Sequence, residues 1–186
     1  MLASTSPQRK AILEQLRIPF HVIAPNYVED DARPVDATDL VRTHAEGKAR
    51  SVHREGQLTV GVDTAVVLDG SSYGKPADRD DAARMLRGLS GRRHTVVSGI
   101  CLLGPDVDEV GHELTEVTFR LLSPKALDGY LESGEWEGRA GGYAIQGLGG
   151  RLVERIEGDF LNVVGLPGAL LISMLERRAP QLLENR

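Results

Sequence analysis

The stretch Leu58-Thr-Val-Gly-Val-Asp-Thr-Ala-Val-Val-Leu68 is apolar almost from end to end, with one acidic side chain, Asp63, near its middle, and Asp69 follows it. A run so rich in β-branched residues reads as a strand. A carboxylate inside such a strand is costly unless it is paired, hydrogen-bonded or bound to a cation. A second reading ends the strand at Gly61 and places Asp63 in a turn, and the stretch by itself leaves both open.

Upstream, Ser6 caps a helix whose first position is Pro7 and whose apolar face carries Ile12, Leu13 and Leu16. Phe20 to Ala24 reads as a short strand, and Glu29-Asp30-Asp31 begins an acidic, proline-containing loop. A second helix spans about Asp36 or Thr38 to Arg54, with Leu40, Val41, Ala45, Ala49 and Val52 turned inward. Downstream, Gly70 to Gly74 reads as a turn, and Asp78 caps a helix over Arg79 to Leu89. His94 to Leu103 and Glu113 to Leu122 are β-rich runs joined through Gly104-Pro105-Asp106. Ser123-Pro124 starts a helix to about Glu132, and a glycine-rich segment, Gly138 to Gly150, precedes strands at Leu152–Ile156 and Leu161–Val164. Leu166-Pro167 begins a last helix reaching Arg177 or so. Helices alternate with strands and a β-ribbon interrupts mid-chain, so the fold class is α/β with a mixed sheet. The opening strand, Met1 to Ala3, is unusually short. With 186 residues and no linker, repeat or low-complexity tract, residues 1–186 read as one domain.

Composition narrows the function. The net charge of −5 argues against broad binding to duplex nucleic acid, and scarce aromatics argue against an RNA-stacking module. No apolar run approaches the ~18 residues of a membrane span, and the N-terminus lacks a signal-peptide core, so the chain reads as cytoplasmic with no membrane partner. The single Cys101 lies in an apolar run and reads as a buried small hydrophobe. Zinc-binding and nucleophile-elbow patterns are missing.

Several segments carry polar chemistry. Ser4-Thr-Ser-Pro-Gln-Arg-Lys10 sets hydroxyls and two cations at a helix start, where backbone N–H groups favour an anion; an ordinary capped helix with a basic first turn is the plainer reading. Lys75, in Gly74-Lys-Pro76, lacks the spacing of a Walker motif, and is either a phosphate-facing ammonium or a solvated lysine. Arg139 to Gly150 contains no dinucleotide fingerprint, yet its five glycines suit close backbone approach to a planar ligand. Within it, the amide of Gln146 can both donate to and accept from a base edge. The cationic helix start, acidic Glu29 and Asp63, Lys48, Lys75 and the Gly/Gln loop together describe a phosphate-ester site. Its carboxylates would hold Mg²⁺ or activate water.

These segments, in this order, resemble the Maf family of nucleoside triphosphate pyrophosphatases. The resemblance rests on Leu2-Ala-Ser-Thr-Ser-Pro-Gln-Arg9, Gly61-Val-Asp-Thr64, Val67-Leu-Asp-Gly70 and Gly74-Lys-Pro76. It continues through Met85 to Gly91, Tyr143-Ala-Ile-Gln-Gly-Leu-Gly-Gly150 and Val164-Gly-Leu-Pro167. It implies a two-lobed fold akin to inosine triphosphatases, with the nucleotide in a central cleft. It also implies hydrolysis of a nucleoside triphosphate to the monophosphate and pyrophosphate, with a divalent cation (Mg²⁺ or Mn²⁺), and a homodimer.

Carried over by position, Asp63 is the proton acceptor, and Glu29 with Asp63 holds the metal. Ser6, Arg9, Lys48, Lys75, Arg139 and Arg155 bind substrate. Thr64 and Gln146 match the branch acting on dTTP and UTP; a branch acting on 7-methyl-GTP has Gln after the Asp and Glu before the Gly. Three positions depart from the pattern. Gln8 replaces an arginine tied to specificity, Gly138-Arg139 replaces an Asp-Lys pair, and Arg155 stands where Lys is frequent. A reading from another class is a nucleotide-binding regulator of cell division with little turnover, since the family has also been linked to septum formation.

Overall fold

The structure, a computed structural model, describes residues 1–30 and 35–184. The acidic residue Asp31 and Pro34 of the predicted loop lie outside the described residues. In chain order the elements are β1 (Leu2–Ala3), α1 (Pro7–Gln15), β2 (Val22–Ile23), α2 (Ala37–Val52), β3 (Thr59–Leu68), β4 (Ser71–Tyr73), α3 (Arg79–Leu89), β5 (Arg93–Gly104), β6 (Val107–Phe119), α4 (Pro124–Glu132), β7 (Val153–Glu157), α5 (Phe160–Val164) and α6 (Gly168–Arg178). The seven strands form one mixed sheet in the order β2-β1-β3-β5-β6-β7, with β4 also paired to β3. β1 runs parallel to both β2 and β3, and the other pairings are antiparallel.

Asp63 lies inside β3, opposite Gly99 of β5, so the strand does not end at Gly61. One edge of β3 pairs with β5 continuously from Thr59 to Val67. The other edge is shared: β1 pairs at Val60 and Gly61, and β4 at Val66 to Leu68. Between them, among the described residues, Val62 to Ala65 have no strand beside them on that edge. The sheet therefore has a gap, and Asp63 and Thr64 stand in it.

Side chains alternate along a strand, so one face of β3 carries Val62, Thr64, Val66 and Leu68 and the other Gly61, Asp63 and Ala65. On the first face two apolar clusters form at opposite ends. Leu2 and Val62 pack with Ile12, Leu13, Leu171 and Leu175 of α1 and α6. Val66 and Leu68 pack with Leu86 and Leu89 of α3, Leu131 of α4 and Phe119 of β6. The other face is covered by α2, whose Val41 meets Ala65 and Val97, and whose Ala45 and Ala49 meet Cys101 and Leu103.

Two glycines let α2 lie directly on the sheet. A Cβ on Gly61 would stand 2.1 Å from the carbonyl oxygen of Ala45, and one on Gly99 2.2 Å from that of Val41. Backbone cannot yield to such an approach, so glycine is required at both places. Cys101 is fully buried, and burial pushes its thiol up to about 12, in keeping with an inert core residue.

Some elements depart from expectation. The segment read as a turn after Gly70 holds β4, which closes a hairpin with β3. β6 starts at Val107, six residues before Glu113, because its polar residues lie along an incompletely covered sheet face; its ladder with β5 continues to Gly104↔Val107. Leu161–Val164 is helical, not a strand. Asp159 caps this turn by accepting from Leu161 N at 2.8 Å, and the Asn162 amide inside it donates to Val96 O and Thr115 Oγ1.

Candidate active site

The gap beside β3 opens into a cleft of about 900 Å³. Adjacent strand residues point to opposite faces, yet Asp63 and Thr64 both line this cleft, because no neighbouring strand separates the two faces there. This absence of a strand is what converts an apolar sheet interior into a site.

On the α2 side, Lys48 Nζ bridges two carboxylates, reaching Asp63 Oδ1 at 2.5 Å and Glu29 Oε1 at 2.6 Å. Lys48 is buried and its reach is set by the close seating of α2 over Gly61. Asp63 is largely covered, with 16% of its side chain exposed. Glu29 approaches from the segment after β2. Partial burial pushes its pKa up, but the Lys48 hydrogen bond and the charges of Lys48, His44 and Lys75 prevail and hold it below the usual carboxylate range.

On the other side, Arg9 of α1 is aimed by neutral acceptors. Its Nε donates to Gly165 O at 2.8 Å, Nη1 to Ser4 Oγ at 3.2 Å and Nη2 to Thr64 Oγ1 at 3.3 Å. Burial pulls the guanidinium pKa below its ordinary value, opposed by the negative charges of Asp63 and Glu29. Arg9 forms no ion pair among the described residues, so its charge remains available to an anion in the cleft. Ser6 caps α1 by accepting from Arg9 N and donates its own hydroxyl to Gln8 Oε1 at 3.1 Å.

The remaining wall comes from the β4 end and the glycine-rich segment. Lys75 is exposed at the rim, and its charge is felt by Glu29. Arg139 lines the cleft with its Nε buried and without a partner among the described residues. Gln146 is exposed on the cleft wall, with no hydrogen bond from its amide side chain to the described residues.

The structure thus brings together every expected site residue except one. Arg155 lies on β7 at the far edge of the sheet, exposed and paired with Glu157 at 3.1 Å, outside the cleft lining. Its charge is met by a neighbour on its own strand, away from the cleft. Conversely, Ser98 and the Gly165 carbonyl were not singled out, although with Ser4 they fix Arg9 and Thr64. Ser98 is buried, with its Oγ 2.9 Å from Thr64 Oγ1. A hydroxyl in the apolar run Val96-Val-Ser-Gly-Ile100 was the available signal.

A family model described as Maf-like protein matches residues 1–178. The chain belongs to the Maf family. A relative from Nitratidesulfovibrio vulgaris named dTTP/UTP pyrophosphatase is 46% identical over 184 residues, covering 96% of this chain and 87% of its own. Another with that name, from Symbiobacterium thermophilum, is 44% identical over 177 residues, covering 94% and 91%. A third, from Pyrococcus furiosus, is 41% identical over 180 residues, covering 95% and 93%. The Maf likeness therefore extends through both apolar clusters and the cleft between them. No helix among the described residues is long and apolar enough to cross a membrane.

The donor set of the Maf cleft fits a hard divalent cation. Glu29 and Asp63 offer carboxylate oxygens only, and among the described residues no group of three or more acidic, His or Cys side chains converges to form a closed cage. Mg²⁺ is commonly held in this manner, by one or two carboxylates completed by substrate phosphates and water.

Proposed function

We propose that this Maf protein hydrolyses dTTP and UTP to the monophosphate and pyrophosphate. The observation that carries the reading is the Asp63–Lys48–Glu29 chain facing Arg9 across a gap in the sheet. It sets a largely covered carboxylate among cations that a triphosphate would complete. The names of relatives sharing 40–46% of the sequence support the same activity.

In this mechanism a water oxygen attacks the α-phosphorus while its proton passes to Asp63. The bond from the α-phosphorus to the oxygen bridging to the β-phosphate breaks, and pyrophosphate leaves with the bonding pair. Arg9, Lys48, Lys75 and Arg139 supply positive charge around the phosphates as negative charge shifts onto the leaving group. A divalent cation bound by Glu29 and Asp63 would add charge neutralisation at the phosphate oxygens. Lys48 bridges both carboxylates and holds them turned toward each other before substrate enters. Gln146 pairs its amide with the adjacent donor and acceptor of a uracil or thymine edge, while Thr64 holds the Arg9 side of the cleft. Gln8, bound to Ser6, contributes a neutral amide to this wall.

A cytoplasmic location and a homodimer accompany this reading; light scattering behind a sizing column tests the dimer. Pyrophosphate release over a panel of nucleoside triphosphates, with Mg²⁺ or Mn²⁺, tests the activity. The expected result is fastest release from dTTP and UTP and, in H₂¹⁸O, label in the monophosphate alone. Tight nucleotide binding with no release would leave the non-catalytic regulator in its place.

A further inference from the structure

Gln146 sits on a turn with no strand partner, yet a base-reading amide is selective only if its backbone is fixed. Gly147 N closes the turn onto Ala144 O at 3.1 Å, and three further backbone N–H groups around Gln146 donate to side chains from α4 and the turn that follows it. Leu148 N reaches Glu135 Oε1 at 3.0 Å and Gly149 N reaches Glu135 Oε2 at 2.8 Å. On the other flank, Ala144 N donates to Tyr130 Oη at 3.1 Å. Burial pushes the Tyr130 phenol up; the Ala144 N–H that it accepts opposes this and the Glu135 carboxylate adds to it, so it stays a neutral hydroxyl. Glu135 itself is anchored, since its N–H donates to Ser133 Oγ at 3.2 Å. Gly147 completes the fit: a Cβ there would lie 2.1 Å from Glu135 Oε1, so the carboxylate fills the space that only glycine leaves.

We propose that Glu135 is a positioning residue for base selection, clamping the turn 144–149 so that Gln146 meets the nucleobase edge at a fixed place. A carboxylate accepting two consecutive backbone N–H groups holds a turn more firmly than a neutral acceptor does. Glu135 is not placed in contact with the reacting atoms; it acts through Gln146. This inference rests on the pyrimidine reading proposed above.

The test uses the full chain and its Glu135→Gln and Glu135→Ala variants. kcat/KM is measured for dTTP, UTP, CTP and ATP, alongside hydrogen exchange of the amides in residues 144–150. Glu135→Gln keeps size and one acceptor but turns an amide N–H₂ toward an N–H donor. The expected result is a fall of at least fivefold in the dTTP-to-ATP ratio for Glu135→Gln, and more for Glu135→Ala. The change should lie mainly in KM, with faster exchange at Leu148 and Gly149. An unchanged ratio in both variants, or an equal loss on all four nucleotides, overturns the positioning role. If the unaltered chain shows no preference among bases, the pyrimidine reading itself fails and this inference falls with it.

Discussion

At the scale of single residues, the site works by keeping charges buried and partly compensated. Arg9 illustrates this: three N–H groups go to Gly165 O, Ser4 Oγ and Thr64 Oγ1, so its orientation depends on a planar fork. Arg9→Lys keeps the charge and loses the fork, and should lower kcat/KM for dTTP by about tenfold to a hundredfold. Gln146→Glu leaves a group that accepts but cannot donate, and should depress dTTP and UTP hydrolysis by about a hundredfold while sparing the protein's thermal stability. Steady-state kinetics with each variant check both; unchanged selectivity in Gln146→Glu would remove the amide from base reading. Much of this was legible beforehand, because a carboxylate in an apolar strand and cations at a helix start are locally anomalous. The position of Arg155 outside the cleft was not legible for the opposite reason: an arginine on a polar edge strand carries no local sign of which face or neighbour claims its charge.

At the scale of elements, the seating of α2 on β3 and β5 sets the geometry of the Lys48–Asp63 pair. Gly61→Ala would press a methyl group against the Ala45 carbonyl, so α2 must lift. Overpacking of this kind costs about 1–3 kcal/mol, which corresponds to a melting temperature lower by roughly 2–10 °C in a chain of this size. Calorimetry reads that shift, and turnover should fall with it because Lys48 retreats from Asp63. A stable variant with full activity would show that close seating is dispensable. The capped helices were readable from sequence: Ser6, Asp78 and Ser123 each accept the expected backbone N–H. The pairing of β1 and β4 along one edge of β3 was not. A two-residue strand and a three-residue strand have no periodicity to detect, and the vacancy between them depends on partners distant in sequence. α5 was misread because Val163 and Val164 favour a strand by composition, whereas Asp159 and Asn162 decide the matter through bonds to β6 and β5.

At the scale of the whole molecule, long strands connect two apolar clusters, and the cleft lies where the sheet is interrupted between them. One cluster contains His94, buried against Phe119 and Tyr143, with Nε2 2.9 Å from the Tyr143 hydroxyl. Burial pushes this imidazole down from 6.5 to about 4. It stays neutral when folded, while the unfolded chain takes up a proton below pH 6.5. Its contribution to stability is therefore complete above pH 6.5 and lost as pH falls toward 4, by about 3 kcal/mol in all. Urea titrations from pH 7 to 4 should show this decline in the native chain and a flatter profile in His94→Phe; parallel profiles would contradict it. In the proposed mechanism Asp63, in the sheet gap, takes the proton from the attacking water. The most direct test of this step is to measure, on one preparation of Asp63→Asn, both nucleotide binding by calorimetry and pyrophosphate release from dTTP. The expected result is a dissociation constant within about tenfold of the unaltered chain and turnover reduced by about 10²–10⁴-fold. Near-normal release from Asp63→Asn would contradict it.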